Sequence, residues 1–101
     1  MLKILIIIGT TRPNRKSESV ARWAYEIARQ RKDAEYELVD LRDFDLPFFI
    51  EPYPPSRRMG LPEYARAWSE KIASSDGYLF ITGEYNHGIP AVLKNAIDYL
   101  F

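Results

Sequence analysis

Cysteine is absent from this chain of 101 residues, and histidine occurs once. Without cysteine there is no disulfide, no thiolate chemistry and no iron–sulfur cluster within these residues. A single histidine argues against a dedicated transition-metal site. An excess of charge is also missing, because 14 basic and 14 acidic side chains give a formal net charge of zero. We therefore expect neither a metal centre nor a nucleic-acid partner.

The length predicts one domain, large enough for a real core but small for a complete doubly wound sheet. Its first residues, Met1 to Gly9, are apolar apart from Lys3, and an apolar N-terminus can be a signal peptide. The run is too short to cross a membrane, however, and the sequence after it does not match a cleavage site. The apolar, β-branched stretch Ile4–Ile8 is typical of a parallel strand buried on both faces. We therefore expect a cytoplasmic protein with this run as its first, central strand.

Apolar periodicity, with glycine and proline as punctuation, predicts alternating strands and helices in the rest of the chain. The predicted elements are a helix over 17–32 with Ser17 as N-cap, a strand over 35–41, a helix over 62–75, a strand over 78–81 and a helix after Pro90. The predicted inward faces of the helices are Val20, Ala21, Ala24, Ile27 and Ala28; then Ala65, Trp68, Ile72 and Ala73; then Leu93, Ala96, Ile97 and Leu100. This alternation predicts a parallel sheet with right-handed crossovers.

The segment 42–60 combines proline with aromatic side chains. Four of the seven prolines fall between residues 47 and 55, a density that excludes regular structure. Phe48, Phe49 and Tyr53 do not suit a solvated linker. A long ordered loop with this much apolar surface covers a site or meets another chain. We expect this loop and the last helix to form a contact between two copies.

The loop after the first strand contains groups that bind an anion. Its candidate phosphate ligands are Gly9, Thr10, Arg12, Arg15 and Ser17. The glycine allows close backbone approach, the threonine offers a hydroxyl, and arginine binds two phosphate oxygens at once. The N-terminus of the following helix also favours an anion. The loop matches neither the Walker A nor the G-x-G-x-x-G pattern, and by itself it is equally consistent with a plain turn.

The strand over 78–81 runs into the polar block Thr82-Gly83-Glu84-Tyr85-Asn86-His87-Gly88-Ile89-Pro90, followed by Leu93-Lys94-Asn95-Ala96-Ile97-Asp98. The block therefore lies at the carboxyl end of a parallel strand, where open α/β sheets bind ligands. It resembles the P-E-Y-N-x-S-x-P-x-x-L-K-N-A-I-D signature of the NADPH-dependent FMN reductases, which include azo-dye, quinone and chromate reductases. Gly83 and Gly88 replace the usual proline and serine. The first loop is similar to the G-S-x-R loop of the same family, in its longer form with R-P-x-R.

The resemblance covers the whole chain and implies a flavodoxin-like fold, a doubly wound parallel sheet of order 2-1-3-4-5. The chain supplies three of these five strands and stops after the third helix. Residues 1–101 therefore look like the N-terminal portion of a flavodoxin-like domain that is incomplete at its C-terminus, with the third strand at the edge of the sheet.

The resemblance also implies where FMN would bind. Its phosphate would lie in the first loop and its ring against Glu84, Tyr85 and Asn86, with Tyr85 packing on the ring. His87 is expected to hydrogen-bond locally or to lie near the ring rather than to act as a general acid. No side chain is predicted to be catalytic, because the flavin itself takes hydride from NADPH and reduces the acceptor.

By resemblance, the acceptor is a quinone, an azo compound, a metal oxyanion or another flavin, and the assembly is a homodimer or homotetramer without a membrane partner. Asn95 and Asp98 in the last helix brace the second loop, meet a partner chain or are solvated. Two alternatives stay open: an FMN-binding electron carrier without reductase activity, and an inactive truncated fragment.

Overall fold

A computed structural model describes residues 1–52 and 61–100, and strands and helices alternate along them. The elements are β1 (Leu2–Ile8), α1 (Ser17–Ala28), β2 (Ala34–Asp40), a single 3-10 turn (Leu41–Asp43), α2 (Glu63–Ala73), β3 (Gly77–Ile81) and α3 (Ala91–Asp98). Every predicted element is present, and the ends differ by a few residues. Helix α1 ends four residues before Lys32, because the polar sequence after Ala28 has no apolar side chain to continue the buried face.

The three strands form a parallel sheet in the order β2-β1-β3. Ile8 at the end of β1 lies opposite Asp40 of β2 and Ile81 of β3, so the carboxyl ends of all three strands lie side by side. The residues from Leu5 to Ile8 are at most 1% exposed, as expected for a central strand that is covered on both faces. This order confirms the predicted flavodoxin-like fold for the strands that the chain contains.

Helix α1 covers one face of the sheet, and α2 and α3 cover the other. On the α1 face, Ile6 and Ile8 pack with Ala21. On the opposite face, the largest buried side chain is Trp68 of α2, whose Nε1–H donates to the carbonyl of Ala96 in α3 at 2.9 Å. The rest of that core consists of Leu5, Ile7, Val39, Leu41, Ala65, Leu93 and Tyr99.

The predicted inward face of α1 is wrong at two positions. Val20 and Ile27 are 46% and 52% exposed, whereas the contact with the sheet runs through Ala21, Tyr25 and Ala28. The small alanines let the helix backbone approach the sheet, and this rotates the larger β-branched residues outward.

Helices α2 and α3 also bury part of their predicted faces. Ala73 and Ile97 are exposed. In α3 the side chain that completes the inward row of Leu93 and Ala96 is Tyr99, which is fully buried. Burial raises the pKa of the Tyr99 hydroxyl to about 12.

The described part of the segment 42–60 packs partly against the core, without regular structure after the 3-10 turn. Phe44 meets the Trp68 ring edge-on, with centroids 5.3 Å apart, and Phe49 meets Tyr99 at 5.1 Å. Phe48 is instead 77% exposed. Tyr53, which the sequence placed in a contact between copies, lies outside the described residues. None of the helices in the described parts of the chain is long and apolar enough to cross a bilayer.

Candidate functional site

The loops after β1 and β3 are in contact at the carboxyl edge of the sheet. We call them the first loop (residues 9–16) and the second loop (residues 82–90). The N–H of Gly9 donates to the carbonyl of Ile81 at 2.8 Å. A Cβ at position 9 would stand 3.0 Å from the Leu93 side chain and 3.1 Å from the Ile81 carbonyl oxygen. The glycine is therefore required by the close approach of β1 to β3 and α3.

The two loops also meet through side chains. The Arg12 guanidinium of the first loop lies over the Tyr85 ring of the second, 5.1 Å from its centroid, a cation–π contact. Gly83 makes room for that ring, since a Cβ there would stand 2.9 Å from the Tyr85 ring and 3.5 Å from the Thr10 methyl group. The cation of one loop and the aromatic ring of the other thus share one location.

The second loop contains a tight hairpin turn over Tyr85 to Gly88. Tyr85 and Gly88 exchange backbone hydrogen bonds of 2.9 and 3.2 Å. The two residues between them, Asn86 and His87, are left-handed, with φ of 53° and 69°. Positive φ at both central positions defines a type I′ turn. The turn holds the His87 side chain in solvent, with its Nδ1 4.0 Å from a carboxylate oxygen of Glu84.

In the first loop, two arginines bind the backbone. Arg15 donates to the carbonyl oxygen of Thr10, and Arg42 donates to those of Thr11 and Arg12 at 3.1 and 2.9 Å. Asp40, at the end of β2, joins the two arginines. It accepts from both terminal nitrogens of Arg15 and from the backbone N–H of Arg42, the last at 3.0 Å.

Arg15 and Asp40 form a partly buried ion pair. Arg15 is 8% exposed, and its hydrogen bond and attraction to Asp40 raise its pKa, against the effect of burial. Burial acts to raise the pKa of Asp40, but the hydrogen bonds from Arg15 and from the Arg42 N–H outweigh it and lower that pKa. The Nε–H of Arg15 is buried and has no acceptor among the described residues.

The first turn of α1 presents free donors. Its N-cap is Lys16, not the predicted Ser17, and no side chain caps it. The Ser17 hydroxyl is instead hydrogen-bonded to that of Thr10. In the described residues, no acceptor takes the N–H groups of residues 17–19 or those of Thr11 and Arg12. An anion at this point would meet a set of unpaired donors and the positive end of a helix dipole.

Asn95 of α3 ties the aromatic segment to the helix. Its Oδ1 accepts the backbone N–H of Phe49 at 2.9 Å, and its Nδ2 donates to the carbonyl of Pro47 at 2.9 Å. The Tyr99 hydroxyl donates to the same Pro47 oxygen at 2.8 Å. Asp98 is exposed and pairs with Lys94. Of the roles open for these two residues, the structure shows bracing for Asn95, although of the segment after β2 rather than of the second loop, and exposure to solvent for Asp98.

The predicted ligands divide into three groups. Gly9, Thr10, Arg12, Ser17 and Tyr85 come together where the loops touch, as described above. Arg15 lies behind the first loop, where Asp40 uses its charge. The third group, which lies at the exposed end of the second loop, is Glu84, Asn86 and His87.

Sequence reasoning missed Asp40 and Arg42. The position of Asp40 gave one usable signal, because an acidic residue ends the strand paired with β1 and so lies beside the first loop. No pattern in the sequence marks Arg42.

These residues suit the two ends of FMN. A phosphate dianion needs several donors and a cation, and the unpaired N–H groups with Arg12 supply both. An isoalloxazine ring needs a flat apolar partner beside hydrogen-bonding groups, which the Tyr85 ring and its loop provide. Fold and loops together define a flavodoxin-like protein in which a first loop with a cation and unpaired donors meets a second loop with an aromatic ring.

Comparison with known proteins agrees with this definition. The family model described as NADPH-dependent FMN reductase matches residues 2–101. An NAD(P)H-dependent FMN reductase of Schizosaccharomyces pombe is 42% identical over 103 residues, which cover 98% of this chain and 50% of that protein. A quinone reductase of Escherichia coli K12 is 32% identical over 100 residues, covering 98% of this chain and 50% of that protein.

Among solved structures, the flavoenzyme NAD(P)H:(acceptor) oxidoreductase FerB from Paracoccus denitrificans is similar with a TM-score of 0.73 at 26% identity. The match covers 98% of this chain and 50% of that one. The chain thus belongs to the NADPH-dependent FMN reductase family, and it spans about half the length of the curated relatives it matches.

Proposed function

We propose that this protein binds FMN across its two loops and acts as a reductase, which passes hydride from NAD(P)H through the flavin to a small acceptor. The acceptor class is that of the family: a quinone, an azo compound, a metal oxyanion or another flavin. The observation that carries the proposal is the contact of Arg12 with Tyr85, because it puts a phosphate-binding cation next to a ring-binding side chain. FMN, when bound, supplies the redox chemistry, and the chain supplies binding and orientation.

In the first loop, each group has a proposed role toward the phosphate. Arg12 contributes charge and a two-point hydrogen bond, and the N–H groups of residues 17–19 contribute the dipole of α1. The paired hydroxyls of Thr10 and Ser17 offer a further hydrogen bond. Gly9 keeps the backbone close to β3, so the phosphate loop and the ring loop stay adjacent.

In the second loop, Tyr85 is the proposed contact for the flat face of the flavin. The type I′ turn fixes the direction of its backbone and presents the polar groups of Glu84 and Asn86 at the same edge. His87 stands in solvent and is proposed to contact the ring edge at most, without acting as an acid. The His87 side chain is exposed to solvent, which suits a peripheral role.

The test is a fluorescence titration of the protein with FMN and, separately, with riboflavin, which lacks the phosphate. Arg12→Ala is expected to weaken FMN by about tenfold to a hundredfold, because a charge-assisted hydrogen bond contributes roughly 1.5–3 kcal/mol. Riboflavin affinity should hardly change. Arg29→Ala is the matched control, since it removes the same charge from the far end of α1.

An equal loss of FMN and riboflavin affinity in Arg12→Ala would contradict the phosphate assignment. Tight FMN binding without any acceleration of NAD(P)H oxidation would favour the other candidate, an electron carrier.

Self-association and location are part of the same proposal. Phe48, Ile50, Ile89 and Val92 are all at least 40% exposed, and a homodimer, or a homotetramer, would cover apolar surface of this kind. Light scattering tests this, and a monomer with flavin bound would contradict it. We propose the cytoplasm as the location, with FMN as the bound cofactor and NADPH as the hydride donor.

A further inference from the structure

Three consecutive carbonyl oxygens in the first loop each accept a hydrogen bond from an arginine. Arg15 binds that of Thr10, and Arg42 binds those of Thr11 and Arg12. Both arginines are themselves held by one carboxylate, Asp40, which accepts from the Arg15 guanidinium and from the Arg42 backbone N–H. The end of β2 therefore controls the backbone of the loop that follows β1.

The geometry of the peptide bond converts this into a direction for the N–H groups. All described peptide bonds are trans, and in a trans peptide the carbonyl of one residue points opposite to the N–H of the next. Because the carbonyls of Thr10 and Thr11 point at the arginines, the N–H groups of Thr11 and Arg12 point to the other side of the loop. Successive backbone N–H groups that face the same side of a loop are the donors from which anion-binding concavities are built.

We propose that Arg15 and Arg42 are positioning residues, which hold the carbonyl oxygens of the first loop so that its N–H groups are preformed for a phosphate. Arg15 would thus act behind the loop and not as a phosphate ligand. The inference rests on the proposed function in one respect, that the phosphate of FMN is the natural ligand.

The burial of the pair favours this role over a purely stabilising one. Arg15 is buried with an unused Nε–H donor, and such an ion pair contributes little net stability compared with an apolar replacement of similar volume. What it supplies is a fixed direction for a carbonyl. A loop fixed before binding loses less conformational entropy when the phosphate arrives, so the effect appears as affinity.

The test is a titration of the full chain with inorganic phosphate, following the backbone amide signals of Thr11 and Arg12 by NMR. Arg42→Lys is the principal variant, because Arg42 is exposed and the substitution keeps its charge while removing the planar fork. Phosphate affinity is expected to fall by about fivefold to tenfold, the loss of roughly one net hydrogen bond. Arg15→Lys should behave in the same way. Lys71→Met is the control, since it breaks a partly exposed ion pair, with Glu37, away from the loop.

The dependence of phosphate binding on salt separates positioning from direct contact. Arg12→Met should reduce that dependence, because it removes a cation that touches the anion, whereas Arg42→Lys should leave it unchanged.

The inference would be overturned if Arg42→Lys and Arg15→Lys bound phosphate as tightly as Lys71→Met does. A failure of the proposed function gives a different result. Phosphate then still shifts the amide signals of Thr11 and Arg12, and the lysine variants still weaken phosphate binding, but FMN binds no better than riboflavin. That outcome supports Arg15 and Arg42 as positioning residues and contradicts the proposal that FMN is the ligand.

Discussion

Replacing Asn95 by alanine should release the aromatic segment from α3. The side chain makes two hydrogen bonds of 2.9 Å to that segment, one with the Phe49 N–H and one with the Pro47 carbonyl, and a third, longer one of 3.4 Å with the Leu46 carbonyl. Each of the two good bonds contributes about 1 kcal/mol net. The Pro47 oxygen keeps the Tyr99 hydroxyl as a donor, so only Phe49 loses its partner entirely. We therefore expect Asn95→Ala to lower the free energy of unfolding by about 2 kcal/mol.

Urea unfolding followed by tryptophan fluorescence in a Trp23→Phe background measures this change, because the remaining indole, Trp68, is buried and Phe44 of the same segment packs on it. Hydrogen exchange of the Phe49 amide gives a local measure and should accelerate in Asn95→Ala. Asp98→Ala is the matched control. It removes an exposed pair with Lys94, worth roughly 0.3–0.5 kcal/mol. If Asn95→Ala is as stable as Asp98→Ala, and the Phe49 amide exchanges at the wild-type rate, the bracing role is wrong.

Two further predictions concern the first loop. The pKa of Asp40 is lower in the folded protein than its ordinary value, so its pairing stabilises the fold above the unfolded pKa, and this stability is lost as the pH falls through the folded value. The urea midpoint of the wild type should therefore drop in acid more steeply than that of Asp40→Asn. Parallel profiles of the two proteins would refute the ion pair. Gly9→Ala should destabilise the protein by about 1–3 kcal/mol, because the new methyl group would stand 3.1 Å from the Ile81 carbonyl oxygen, which cannot move away freely. Gly88→Ala, where the nearest atom is 4.0 Å away, should unfold like the wild type, and equal effects of the two substitutions would show that space at position 9 is not limiting.

The sheet was predictable from the sequence because its signals are local. The continuous apolar run before Gly9, the helical spacing around Trp68 and the first-turn proline Pro90 each determine one element, and alternation then predicts parallel strands. The order 2-1-3 followed from the family resemblance and not from local patterns. The inward face of α1 was less predictable. Val20 and Ile27 fit the apolar period as well as Ala21 and Ala28 do, and only close packing on the sheet selects the smaller residues.

The site was predictable only as far as the two loops. Both loops lie at strand ends with residues that suit a phosphate and a ring, and these positions follow from topology. Of the residues that hold the backbone of the first loop, only Asp40 carried a usable signal, its place at the end of the strand paired with β1. Asp40 and Arg42 lie 25 or more residues further along the chain than the groups they hold, so no local pattern marks these contacts. The left-handed backbone at Asn86 and His87 was not predicted either. Positive φ is expected first at glycine, and Gly83 and Gly88 lie close by in the same loop.

The central claim is that a flavin held by these two loops receives hydride from NAD(P)H. Mixing the protein, loaded with FMN, with NADPH under anaerobic conditions tests it directly, with the visible absorbance of the flavin as the signal. The account predicts that this absorbance is lost much faster than with free FMN alone, and that Arg12→Ala at the same concentrations falls back toward the free rate. Bleaching of bound FMN at the rate of free FMN would contradict the account.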